Sequence, residues 1–192
     1  MTLHTTATLV DMHISMWSAR RHDPTASNEI AKAHNAGGAG RFNKMLIDKE
    51  PLAPIVKAAG ALRVTHYNLT LPWYDTGARL LPNELFLRYQ DEMAGPAEQF
   101  RAAVKQFVRD YPELVKAARK RLGTLYRVED YPVEIAERFN VHFEFAPIAD
   151  VQDFRVSASQ EAEALIRQRV TDSVTESLQQ RQKAAMREVY ER

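Results

Sequence analysis

The residues with the most chemical potential in this chain are its histidines. Five of the six fall in the first 66 positions, His4, His13, His22, His34 and His66, and the sixth is His142. No pair stands three or four residues apart, so no helix turn can bring two imidazoles onto one ion, and His-Glu-x-x-His is absent. His22-Asp23 has the form of a phosphohydrolase metal dipeptide, but Pro24 biases Asp23 away from helical geometry, where such a pair would have to sit. The chain has no Cys, which removes thiol nucleophiles, thiolate zinc sites and disulfides. There is no Gly-x-Ser-x-Gly elbow, and Glu29-Ile-Ala-Lys32 lacks the acidic-x-Lys strand pattern of many nucleases. No catalytic residue, metal site or cofactor is therefore expected.

The cations form a better pattern. Lys116, Arg119, Lys120 and Arg121 crowd the expected end of a helix, where they either stabilise the helix dipole or contact a phosphate backbone. Gly37-Gly-Ala-Gly40, followed by Arg41 and Lys44, suits a loop whose backbone N–H groups could meet an anion, although it is neither a P-loop nor a dinucleotide fingerprint. Arg20 and Arg21 follow Trp17, and Trp73-Tyr74 stand near Arg79, so Trp17, Trp73 and Tyr74 are possible stacking faces for bases. The expected nucleic-acid contacts are Arg20, Arg21, Arg41, Lys44, Lys116, Arg119, Lys120 and Arg121.

These side chains sit in a chain of 192 residues with a net charge of +1. The near-neutrality conceals an asymmetry: residues 1–70 and 71–128 each carry +3, whereas 129–192 carry −5. No apolar run approaches the roughly 20 residues of a membrane span, and the N-terminus lacks the features of a signal peptide, so a cytoplasmic location is expected.

Periodicity and turn residues predict the elements that position the cations. Alternation predicts a strand over residues 7–16. A basic turn covers 17–24, a short helix capped by Ser27 runs to Asn35, and a second short helix spans 41–47. An amphipathic helix begins near Pro51 or Pro54, and residues 70–82 have the grammar of a hairpin turning at Asp75-Thr-Gly77. Asn83, Pro96 and the pair Asp110 and Pro112 open three successive helices, the last stopped by Gly123. A short helix follows Pro132, then a half-buried strand over 141–145 and a second strand over 154–157. From Ser159 a long helix carries a thin apolar stripe, Ile166, Val170, Val174, Leu178, Ala185 and Val189, suited to a partner helix. It remains in helical register at Arg192, which suggests either self-association through 160–192 or a cut from a longer chain.

Two stretches are similar to a group of uncharacterised bacteriophage and prophage proteins. One is Ile14-Ser-Met-Trp-Ser-Ala-Arg20-Arg with Ala39-Gly-Arg-Phe-Asn-Lys44. The other is Phe143-Glu-Phe-Ala-Pro147 with Asp153-Phe-Arg-Val156. The resemblance implies a phage origin and a role in DNA metabolism or host takeover, and it carries no catalytic residues.

The reading is thus an α+β fold: a mostly helical body over 1–157 with one or two small antiparallel hairpins, and a long projecting C-terminal helix over 158–192. The expected function is a non-enzymatic, oligomeric protein that binds single- or double-stranded DNA. A module that inhibits or recruits a host protein, and a metal-dependent hydrolase or nuclease built on His13, His22 and N-terminal Asp residues, are the alternatives.

Overall fold

A computed structural model describes residues 6–73, 77–148, 168–169, 172 and 175–180. Among the described residues up to 148, six strands and three α-helices follow in chain order. They are β1 (Ala7–Ser15), β2 (Arg20–His22), α1 (Pro24–Ala33), β3 (Asn43–Met45), α2 (Ala53–Leu69), β4 (Leu71–Pro72), β5 (Arg79–Pro82), α3 (Phe86–Leu122) and β6 (Asn140–Pro147). The chain divides into two units. A sheet unit comprises residues 1–13, 63–94 and 142–192; a hairpin unit comprises 14–62 and 95–141. The α+β class holds. The expected second strand over 154–157 and the boundary at 157 lie outside the described residues, as does most of the expected C-terminal helix. The described residues beyond 160, which are 168–169, 172 and 175–180, have helical backbone. Among the described residues no helix is long and apolar enough to cross a membrane.

The sheet unit is built on a four-stranded sheet in the order β4-β5-β1-β6. β5 runs antiparallel to both β4 and β1, with Leu80 opposite Leu9 on one side and Leu71 on the other. Gly77 adopts φ 88°, the positive value that the expected hairpin turn requires. Pro72 lies on β4, an edge strand, where a missing N–H costs no ladder bond. Because side chains alternate along a strand, Ala7, Leu9, Asp11 and His13 share one face of β1. Its apolar end packs with Leu71, Trp73, Leu80 and Ile148, and Leu178 joins that cluster. Along β6 the odd residues face α3: Phe143 meets Tyr89 edge-on, and Phe145 meets both Tyr89 and Phe86.

In the hairpin unit β2 and β3 pair antiparallel, Arg21 opposite Lys44. The pairing extends beyond the strands through Asp23 N–H to Phe42 O at 3.0 Å and Leu46 N–H to Ala19 O at 2.8 Å. Residues 41–47, expected to be helical, are therefore a strand with flanking extended chain. Their partner lies twenty residues back, beyond the reach of local propensity. The basic turn 17–24 is likewise partly strand. α1 is capped by Asp23, whose carboxylate accepts the Ala26 N–H at 3.1 Å, and Pro24 occupies the first turn. Ser27, the expected cap, instead donates to Asp23 O and accepts the Phe42 N–H.

The three helices expected over 83–123 are one 37-residue helix with Pro96 and Pro112 inside it. Each proline removes a single backbone hydrogen bond. Against that loss, the buried residues Tyr89, Met93, Ala97, Phe100, Phe107, Tyr111 and Ala118 keep helical phase across both prolines. Gly123, at φ 53°, ends the helix as expected. After it, the short helix expected from Pro132 is replaced by isolated 3-10 turns at Val128–Asp130 and Ile135–Arg138.

Candidate functional site

The division into units sharpens the charge asymmetry. The hairpin unit carries sixteen basic and eleven acidic side chains, net +5, leaving −4 for the sheet unit. All eight expected phosphate contacts belong to the hairpin unit, and the structure separates them into exposed cations and structural ones.

Lys44 is structural. Its side chain is 2% exposed, with Nζ 2.7 Å from Asp130 Oδ2. It also donates to Asp23 Oδ2 at 3.1 Å and to the Leu125 carbonyl at 2.9 Å. The Ala26 N–H, followed by the Lys44 ammonium, holds the Asp23 carboxyl below its usual range. An ammonium shared between two buried carboxylates is not offered to a phosphate, so the expectation for Lys44 is corrected. Arg121 is tied as well: it donates to the carbonyls of Met45 and Leu46 and lies 3.4 Å from Asp48. Arg21 reaches Asp130 at 3.6 Å yet stays largely exposed, and Lys116 pairs with Glu113 on the helix surface. Arg119 stands over the Tyr126 ring. Arg20, Arg41 and Lys120 are exposed and make no ion pair among the described residues. Arg20, Arg21 and Arg121 all lie at the β2–β3 hairpin, with Arg20 and Arg21 on opposite faces of β2.

The glycine loop does not form an anion cradle at a helix start, because the chain after it enters β3 rather than a helix. Ala39, Gly40 and Arg41 instead line a hollow of about 380 Å³ together with Ser27, Ile30 and His34.

Beside the hairpin lies a groove of about 620 Å³ that sequence reading did not anticipate. Met16, Trp17, Ala19, Met45, Ile47, Leu52, Ile55, Val56 and Phe139 give it apolar walls, and Arg20, Lys49 and Lys57 also line it. Lys49 and Lys57 are exposed and, like Arg20, make no ion pair among the described residues. Trp17 meets Tyr111 edge-on, with ring centroids 5.9 Å apart, which fixes the indole in the wall. Val56 is 56% exposed, an apolar side chain left open at the groove. The groove draws on three separated segments, so no single stretch of sequence could reveal it.

The other expected stacking residues fare differently. Trp73 is 7% exposed and belongs to the core of the sheet unit, so it is not a stacking platform. Tyr74 lies outside the described residues.

The sheet unit holds two histidine arrangements. His66 is buried and its Nδ1 lies 2.8 Å from the Tyr89 hydroxyl. Burial, and then the Arg79 guanidinium, push the His66 pKa down to about 4, so the ring is neutral at pH 7. Arg79 donates to the Thr70 hydroxyl and carbonyl just past α2 and stands over the Tyr67 ring at 4.5 Å, a structural clamp. The second arrangement is exposed. His13 on β1 and His142 on β6 stack with ring centroids 4.7 Å apart, and Asp11 and Glu144 flank them. His22, paired with His13 in the hydrolase alternative, instead contacts Ser27 Oγ at 3.1 Å within the hairpin unit. Asp23 of the same dipeptide is the buried cap of α1.

No family model, curated protein or solved structure matches the chain. The resemblance to bacteriophage proteins rests on the quoted strings alone.

Proposed function

We propose that the protein binds single-stranded nucleic acid along the hairpin unit, with a base against Trp17 in the apolar groove and phosphates on the surrounding cations. The observation that carries this reading is the combination in one groove of an aromatic wall with three cations, Arg20, Lys49 and Lys57, that make no ion pair among the described residues. Stacking on an aromatic side chain is tolerant of sequence, and the backbone contacts are electrostatic. Arg21, Arg119 and Lys120 extend the positive surface along the hairpin and the end of α3. A duplex keeps its bases stacked on one another, so the groove favours single strands over double strands.

Three phosphate contacts give single-strand binding a slope of about −2 in log affinity against log salt concentration. Exchanging Arg20, Lys49 and Lys57 for Ala is expected to flatten that slope and weaken binding at low salt, as measured by fluorescence anisotropy with a labelled oligothymidylate. These side chains are exposed, so the fold should survive the exchange. Unchanged affinity and slope in the triple variant would refute the assignment, as would the absence of any binding by the intact protein.

A further inference from the structure

We propose a second, independent site: His13, His142 and Glu144, with Asp11, bind one divalent transition-metal ion of the zinc, nickel and copper class. It lies wholly within the sheet unit and does not depend on the nucleic-acid reading.

Alternation places the donors. Asp11 and His13 stand two apart on β1, His142 and Glu144 stand two apart on β6, and the two strands are neighbours in the sheet. The apolar residues of β6 turn toward α3, which leaves His142 and Glu144 on the opposite, exposed side. Each of His13, His142 and Glu144 offers a ligand atom within 4.8 Å of the other two. The closest approaches are 3.3 Å from His142 Nε2 to Glu144 Oε1, 3.5 Å from His13 Nε2 to Asp11 Oδ2 and 3.9 Å from His13 Nε2 to Glu144 Oε2. Ligands at ~2.1 Å from a tetrahedral ion stand about 3.4 Å apart. Small rotations of exposed side chains therefore complete the set without backbone movement.

The donor set also selects the ion. Two imidazoles with one or two carboxylates suit zinc, nickel and copper, whereas calcium and magnesium require mainly oxygen. The bound ion would clamp β6, an edge strand of the sheet, to β1. Its expected effect is therefore structural: a further link between this edge strand and β1, beside the Phe143 and Phe145 contacts with α3.

The test is titration of the metal-free full chain with Zn²⁺ by calorimetry, together with thermal unfolding. One saturable site and a rise in Tm with Zn²⁺ are expected. His13→Ala and His142→Ala should each weaken binding by a factor on the order of 100, and Asp11→Asn by a factor on the order of 10. With Cu²⁺, the electron paramagnetic resonance spectrum should show coupling to two imidazole nitrogens, reduced to one in either histidine variant. Glu144→Gln, a near-isosteric change on the surface, tests the carboxylate without threatening the fold. No Zn²⁺ binding by the intact chain, undiminished binding in His142→Ala, or equal affinity for Mg²⁺ and Zn²⁺ would each overturn the proposal.

Discussion

Replacing Lys44 with Met is expected to destabilise the protein by about 3–5 kcal/mol, the cost of leaving the buried Asp23 carboxylate without its cation. The side chain is 2% exposed and stands between Asp23 and Asp130, and no other cation among the described residues lies within ion-pair distance of Asp23. A methionine fills the space and supplies no charge. Asp23→Asn and Asp130→Asn should recover most of the loss when combined with Lys44→Met, since Asn at position 23 retains the cap on α1 while removing the unpaired charge. Urea unfolding of the single and triple variants is the measurement. A Lys44→Met protein within about 0.5 kcal/mol of the parent, the range of an ordinary surface change, would mean that the ammonium does not neutralise that cluster.

The second large effect is loss of stability in mild acid through His66. In the unfolded chain an imidazole titrates near 6.5, whereas in the folded protein burial lowers His66 to about 4. Between these values the unfolded state binds the additional proton. Stability is therefore full above pH 6.5 and falls as the pH drops toward 4, by up to about 3 kcal/mol from this group. His66→Gln has no such proton to bind, so its stability should vary less across the same window, although losing the Tyr89 contact lowers its stability at pH 7. Urea midpoints at pH 7 and pH 4.5 for both proteins isolate the effect. A parent protein no more acid-sensitive than the variant would contradict a neutral, buried His66.

What the sequence made legible was local. The alternation in β1 and β6, the positive-φ turn at Gly77 and the stop at Gly123 are each written in a few neighbouring residues, and the structure contains all four. The failures involve distant partners. Residues 41–47 look helical until β2 pairs with them, and Lys44 looks like a phosphate ligand until Asp23 and Asp130 enclose it. Pro96 and Pro112 punctuate the sequence strongly, yet an apolar stripe that keeps its phase from Tyr89 to Ala118 outweighs two missing hydrogen bonds.

The candidate sites follow the same rule. The basic character of residues 20–21 and 116–121 is readable from composition, but the groove beside them needs Trp17, Lys49, Val56 and Phe139 from separate segments. His13 and His142 are 129 positions apart and meet only because β6 lies beside β1. The signal that could have found them was the shared period of two in Asp11-x-His13 and His142-x-Glu144, each placing a histidine and a carboxylate on one strand face.

The claim that a nucleobase occupies the groove is tested most directly through the Trp17 indole itself. Titration of the full chain with oligothymidylate at low salt should quench its tryptophan fluorescence in proportion to binding. Trp17→Phe should abolish most of that quenching while retaining affinity, and Trp17→Ala should weaken binding by about 1–3 kcal/mol, the worth of one stacked base. Quenching that persists in Trp17→Phe, or affinity undiminished in Trp17→Ala, would place the nucleic acid elsewhere and contradict the account.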